Sequence, residues 1–101
     1  MIASKLMKKL IFILLLSPIL VFSQSKKAVK YFNAGEKAFS NQNYNDAIES
    51  FTSAIDKYDE YYEAYNNRGN SHTNLGKFEE AISDYNKAIE IDSKNTDGYY
   101  N

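Results

Sequence analysis

Two stretches of the chain place apolar or small residues in steps of three, four and seven. Ala47, Phe51, Ala54, Ile55 and Tyr58 form the first series, and Ala81, Tyr85, Ala88 and Ile89 the second. Such spacing gathers these side chains on one face of a helix. Ahead of each lies a second series with the same step, Tyr31, Gly35 and Ala38, then Tyr65, Gly69 and His72. Asn41 to Asn43 and Gly76-Lys77 interrupt the pattern and predict turns, and Gly76 suits a left-handed helix end. The segments "YDEY" (58–61) and "DSKN" (92–95) predict further breaks. The pattern therefore predicts an all-α fold of two helix hairpins.

The N-terminal end follows another pattern. Lys5, Lys8 and Lys9 precede an uncharged, mostly apolar run at 10–22, "LIFILLLSPILVF", and then "SQSKK". A basic start, a short apolar segment and a small residue before a polar stretch predict a secretory signal, here 1–23, cut after Ser23. A spanning helix needs about 20 apolar residues, so a membrane anchor is the alternative and not the first reading. Met7 is an equally suitable start. The protein is accordingly expected outside the cytoplasm, periplasmic or secreted, in a bacterial cell. Without the three leader lysines, nine basic side chains face thirteen acidic ones, a net charge of −4. That balance argues against nucleic-acid binding, which rests on neutralising phosphates with Lys and Arg.

The two hairpins repeat each other. Residues 31–56 align with 65–90 at an offset of 34 without a gap. Tyr31/Tyr65, Asn33/Asn67, Gly35/Gly69, Ala47/Ala81, Ile48/Ile82, Ala54/Ala88 and Ile55/Ile89 are identical, and Phe51/Tyr85 are both aromatic. The small residues predict close helix packing: Gly35 with Ala47 and Ala54, Gly69 with Ala81 and Ala88. Phe51 and Tyr85 are expected to fill the space between hairpins, and Tyr31 and Tyr65 to pack with them. A helical Gly costs up to about 1 kcal/mol relative to Ala, so its place in both units implies a packing reason.

Period 34, the aromatic–x3–Gly start, the turns Asn43-Tyr44 and Gly76-Lys77-Phe78, and the Ala-Ile-x2-aromatic-x2-Ala-Ile second helix together resemble the tetratricopeptide repeat family. The resemblance covers a first unit at 28–61 and a second at 62–95, after a short polar lead-in at 24–27. It implies an antiparallel helix-hairpin solenoid behind the N-terminal signal helix. The chain departs from the family where Asp59 and Ser93 replace a terminal proline, where His72 replaces an aromatic, and where Ala34 and Arg68 replace Leu. Tyr99 and Asn101 continue the offset, so 96–101 is expected to start a third unit. Stacked repeats bury their apolar faces only against neighbours. On that ground the chain is expected to be an N-terminal fragment, with self-association through the open repeat end as the alternative.

Candidate chemistry is sparse. The chain has no Cys, hence no disulfide and no thiolate ligand or nucleophile. His72 is the only histidine and lacks companion ligands or a nucleophile at useful spacing. Glu79 and Glu80 fall at a helix start, where acids suit the dipole. No phosphate-binding loop or calcium loop is complete. No catalytic residue, cofactor or metal site is expected.

What remains is surface. The family resemblance implies that the first helices of successive units line a groove for peptide segments. Carried onto this chain, that groove would present Phe32, Glu36 and Phe39 from the first unit and Asn66, Asn70, Thr73 and Asn74 from the second. A subtype that grips acidic C-terminal tails of heat-shock chaperones uses Lys and Asn where this chain has Phe32 and Glu36. Asn67 suits that subtype, but Glu36 would repel a carboxylate, and the subtype is disfavoured. The expected function is a non-catalytic protein–protein interaction scaffold with a protein or peptide partner. The alternatives are a docking or sensor arm of a larger enzyme and a small self-associating structural protein.

Overall fold

The computed structural model describes residues 23–100, and the side chains of residues 23–95. The leader through residue 22, and with it the expected signal helix, lies outside the described residues, as does Asn101. The described chain is helical, without a strand: α1 over 23–40, α2 Tyr44–Lys57, α3 Tyr62–Asn74 and α4 Phe78–Tyr100. Among the described residues, no helix is long and apolar enough to cross a membrane.

Both hairpins turn by the same device. At the end of α1 the Asn43 N–H donates to Ala38 O at 2.9 Å and the Gln42 N–H to Phe39 O at 2.9 Å. At the end of α3 the Lys77 N–H donates to His72 O at 2.8 Å and the Gly76 N–H to Thr73 O at 3.0 Å. This pairing closes a helix through one left-handed residue. That residue is Gly76, φ 74°, in the second unit and Gln42, φ 62°, in the first. The two lie 34 residues apart, so the chain places a left-handed conformation at one repeat position with two different side chains.

The core lies where α2 is enclosed by α1 and α3. Ala47, Phe51, Ala54 and Ile55 from α2 and Ala64 from α3 are buried together, with Phe32, Ala38, Phe39, Tyr61 and Tyr65 packed around them. The Phe32 ring lies 5.6 Å from Phe51 and stacks on Tyr61 at 4.9 Å. Gly35 and Gly69 are buried, each with its backbone against an aromatic ring of its own hairpin, Phe51 and Tyr85 respectively. The nearest neighbour of each glycine is thus the aromatic ring of its own hairpin and not the alanines expected, and the ring, expected between hairpins, occupies the volume that a Cβ would need.

Three expectations are corrected. The break at 92–95 does not occur, because α4 runs unbroken from Phe78 to Tyr100, about 34 Å at helical rise. Ser93 stands where a proline would stop the helix, α4 holds no Gly before Gly98, and Ile91 is buried, so nothing local ends the helix. Tyr31 is 38% exposed and not packed like its repeat partner Tyr65. Tyr65 packs on the core of the preceding hairpin, and among the described residues no hairpin lies before α1. Ile89 is 63% exposed although Ile55, its repeat partner, is 8% exposed. α3 covers Ile55, and among the described residues no helix covers α4 in the same way.

Candidate binding cavity and ion-pair clamp

α3 carries the amide side of a cavity. Its register places Asn67 and Asn70 three residues apart, one turn along the helix, facing α1. There they meet Glu36, Phe39 and Ser40 over the buried ring of Phe51, and these six side chains line a cavity of about 220 Å³. The Tyr85 hydroxyl donates to Asn70 Oδ1 at 2.5 Å and lies 3.2 Å from Thr73 Oγ1. Asn70 is thereby held from α4, which fixes one wall of the cavity. Glu36 is exposed and makes no salt bridge among the described residues.

Of the seven groove candidates, Glu36, Phe39 and Asn70 come together here. Phe32 is committed to the junction between hairpins by its contacts with Phe51 and Tyr61. Asn66 is exposed one position round the helix, and Asn67 takes the place by the cavity. Thr73 and Asn74 turn back on their own helix: Thr73 Oγ1 donates to Gly69 O at 2.9 Å, and Asn74 Nδ2 to Asn70 O at 2.8 Å. Asn67 was visible as one of the repeat identities, and Phe51 was assigned to packing alone. Ser40 carried no sequence signal.

Burial raises the Tyr61 phenol above its usual value of 10.0, and the carboxylates of Glu63 and Glu36 add to the rise.

A second polar feature ties three helices together. Arg68 on α3 donates from Nε to Asp84 Oδ2 at 2.9 Å and from Nη2 to Asp84 Oδ1 at 2.7 Å. Its third nitrogen, Nη1, donates to Thr52 Oγ1 on α2 at 3.1 Å, and the guanidinium lies 5.4 Å from the Tyr65 ring centroid. The bidentate bond to Asp84 raises the Arg68 pKa beyond its usual value, against the opposing effect of burial. His72 Nε2 stands 3.6 Å from Asp84 Oδ2, while its Nδ1 is buried with no hydrogen-bond partner among the described residues. This arrangement packs and pairs His72 without offering a nucleophile beside it. Among the described residues no three of His, Asp or Glu converge to hold a metal. The sequence carried a signal for the clamp: Arg68 and Asp84 both replace uncharged repeat partners, Ala34 and Ser50.

Comparison with known proteins agrees with this architecture. The tetratricopeptide repeat family model matches residues 62–95. The STIP1 homolog of Dictyostelium discoideum is 37% identical over 75 residues, 74% of this chain, which spans only 13% of that protein's length. The TPR2B domain of yeast Sti1, solved in its complex with pHsp70, superposes with a TM-score of 0.65 and 34% sequence identity. That match covers 66% of this chain and 54% of the yeast chain. Paired hairpins offset by 34 residues, a glycine against an aromatic ring in each, and these matches in both sequence and structure place the chain in the tetratricopeptide repeat family.

Proposed function

We propose that this chain is a non-catalytic peptide-binding scaffold whose site is the cavity between α1 and α3. The observation that carries the proposal is the convergence of Glu36, Asn67 and Asn70 over an aromatic floor of Phe39 and Phe51. An amide side chain both donates and accepts hydrogen bonds, so two of them can pair with the backbone of an extended peptide. The yeast neighbour, solved with a bound partner, supports a protein or peptide ligand in general. Selection of a displayed random-peptide library on the chain tests the reading. Selected peptides should lose binding to the N67A/N70A double variant, and undiminished binding would move the site elsewhere. The basic and apolar leader at 5–22 supports export. Edman sequencing of the protein recovered from expressing bacteria would begin at Gln24 if the signal is cut after Ser23, and at Met1 or Met7 if it is retained.

A second reading is self-association, favoured by one exposed stripe on α4. Phe78, Ile82 and Ile89 are 62%, 58% and 63% exposed and lie at helical spacing. Sedimentation velocity at micromolar concentration decides it: a monomer would refute the reading, and a dimer dissolved by I82S/I89S would support it.

A further inference from the structure

We propose that the α1–α3 cavity takes the cationic side chain of its peptide partner, a lysine or arginine, in preference to a carboxylate. This rests on the reading of the cavity as the peptide site. Among the described residues, Glu36 is the only charged side chain that lines the cavity, and the others are neutral amide, hydroxyl and aromatic groups. Its carboxylate has no cation paired with it among the described residues. A ligand carboxylate entering here would meet a like charge with no cation to offset it, which disfavours binding by charge complementarity.

The other walls suit the stem of a long cationic side chain. Phe39, partly buried, supplies aromatic surface for the methylene groups, and a cation near an aromatic face gains further. Phe51 is fully buried, so it forms a fixed floor. A space of about 220 Å³ exceeds the roughly 150 Å³ that accommodates a benzene ring. Asn70, held by Tyr85, and Asn67 stand ready to pair with the neighbouring peptide bonds. The cations nearest in sequence belong elsewhere: Arg68 is engaged by Asp84, and Lys37 does not line the cavity.

The test is an NMR titration of the ¹⁵N-labelled chain with three acetylated and amidated pentapeptides. Each has two alanines on either side of a central residue, which is arginine, its neutral isostere citrulline, or glutamate. The arginine peptide should shift the side-chain amide signals of Asn67 and Asn70. The other two should bind about threefold to fivefold more weakly, the scale of a solvent-exposed ion pair. E36Q should erase the advantage of arginine over citrulline, and E36K should favour the glutamate peptide. Glu36 is exposed, so both variants should keep the dispersed spectrum of the folded chain. Equal or tighter binding of the glutamate or citrulline peptide at the same amides would overturn the cation preference and leave the peptide site standing. Failure of all three to move Asn67 and Asn70 would overturn both.

Discussion

Replacing Gly35 by Ala sets helix propensity against packing. Alanine is worth about 1 kcal/mol over glycine inside a helix. The added Cβ, however, would lie 2.5 Å from Phe51 Cε1, 2.6 Å from Cδ1 and 2.9 Å from Cζ. Ordinary carbon–carbon contact is about 3.5–4.0 Å, so the ring must retreat by roughly 1 Å. Its retreat is opposed on the core side, where Phe51 is fully buried with Phe32 5.6 Å away and Ala47 and Ala54 in the same cluster, and only the α1–α3 cavity is open to it. Overpacking of this kind costs about 1–3 kcal/mol, and a shortfall of this size against a fixed ring belongs at the upper end. The net loss should be about 2 kcal/mol, or roughly a 10 °C fall in Tm for a domain of this size.

Thermal and urea denaturation followed by circular dichroism at 222 nm would read that loss. The cause is isolated by a second change, Phe51→Leu, which removes the offending ring atoms. In that background Gly35→Ala should be neutral or stabilising, giving a coupling of about 2 kcal/mol between the two sites. The same substitution at Gly69 should be milder. Its Cβ would lie 2.7 Å from Tyr85 Cε1, and Tyr85 is only partly buried, so its ring can yield. A rise in Tm for Gly35→Ala, or a coupling below about 0.5 kcal/mol, would refute the packing argument.

The remaining predictions use the repeat as its own control. Gln42→Gly should stabilise the chain by about 1 kcal/mol, and Gly76→Gln should destabilise it by about as much, because each residue holds a left-handed conformation that costs a side chain about 1–2 kcal/mol. Both are read as shifts in urea midpoint at unchanged m-value. Ile55→Ala should cost about 2–5 kcal/mol, whereas Ile89→Ala at the equivalent but exposed position should stay within about 0.5 kcal/mol; equal losses would contradict the exposed face of α4. Asp84→Asn leaves the guanidinium of Arg68 without its counter-charge in a half-buried place. It should lower stability by about 3 kcal/mol, and Arg68→Leu/Asp84→Leu should recover much of the loss. The Arg68 pKa is raised in the folded chain, so the pair favours the fold below the usual guanidinium range and that contribution is lost only as pH rises through the raised value. The Arg68 side of the clamp should therefore show no pH dependence between neutrality and pH 10.

The hairpins were legible because their determinants are local and occur twice. A glycine every 34 residues, small residues at fixed steps from it and a ring to meet it define a packing unit, and repetition excludes chance. The left-handed turn at Gly76 was legible for the same reason. Gln42 hides the identical geometry behind an ordinary side chain, and only alignment of the units reveals it. The absent break at 92–95 went the other way. Asp, Ser, Lys and Asn commonly mark a turn, but they only permit one. With neither Gly nor Pro in the segment and Ile91 buried just before it, the helix continues.

Exposure and the site depended on what lies across from each residue. Tyr31 and Tyr65 are identical in sequence, yet only Tyr65 has a hairpin before it to pack on. Ile55 and Ile89 differ in the same way because α3 covers one and not the other. The face of α3 that meets α1 was similarly fixed by rotation about the helix axis, and a shift of one residue, about 100°, exchanges Asn66 for Asn67 at the cavity. Period 34 leaves that rotation open, but the core narrows it. Ala64 and Tyr65 must face α2, and Gly69 must face Tyr85. Those constraints turn Asn67 and Asn70 together toward Glu36, so the polar composition of the cavity follows from where the apolar residues have to go.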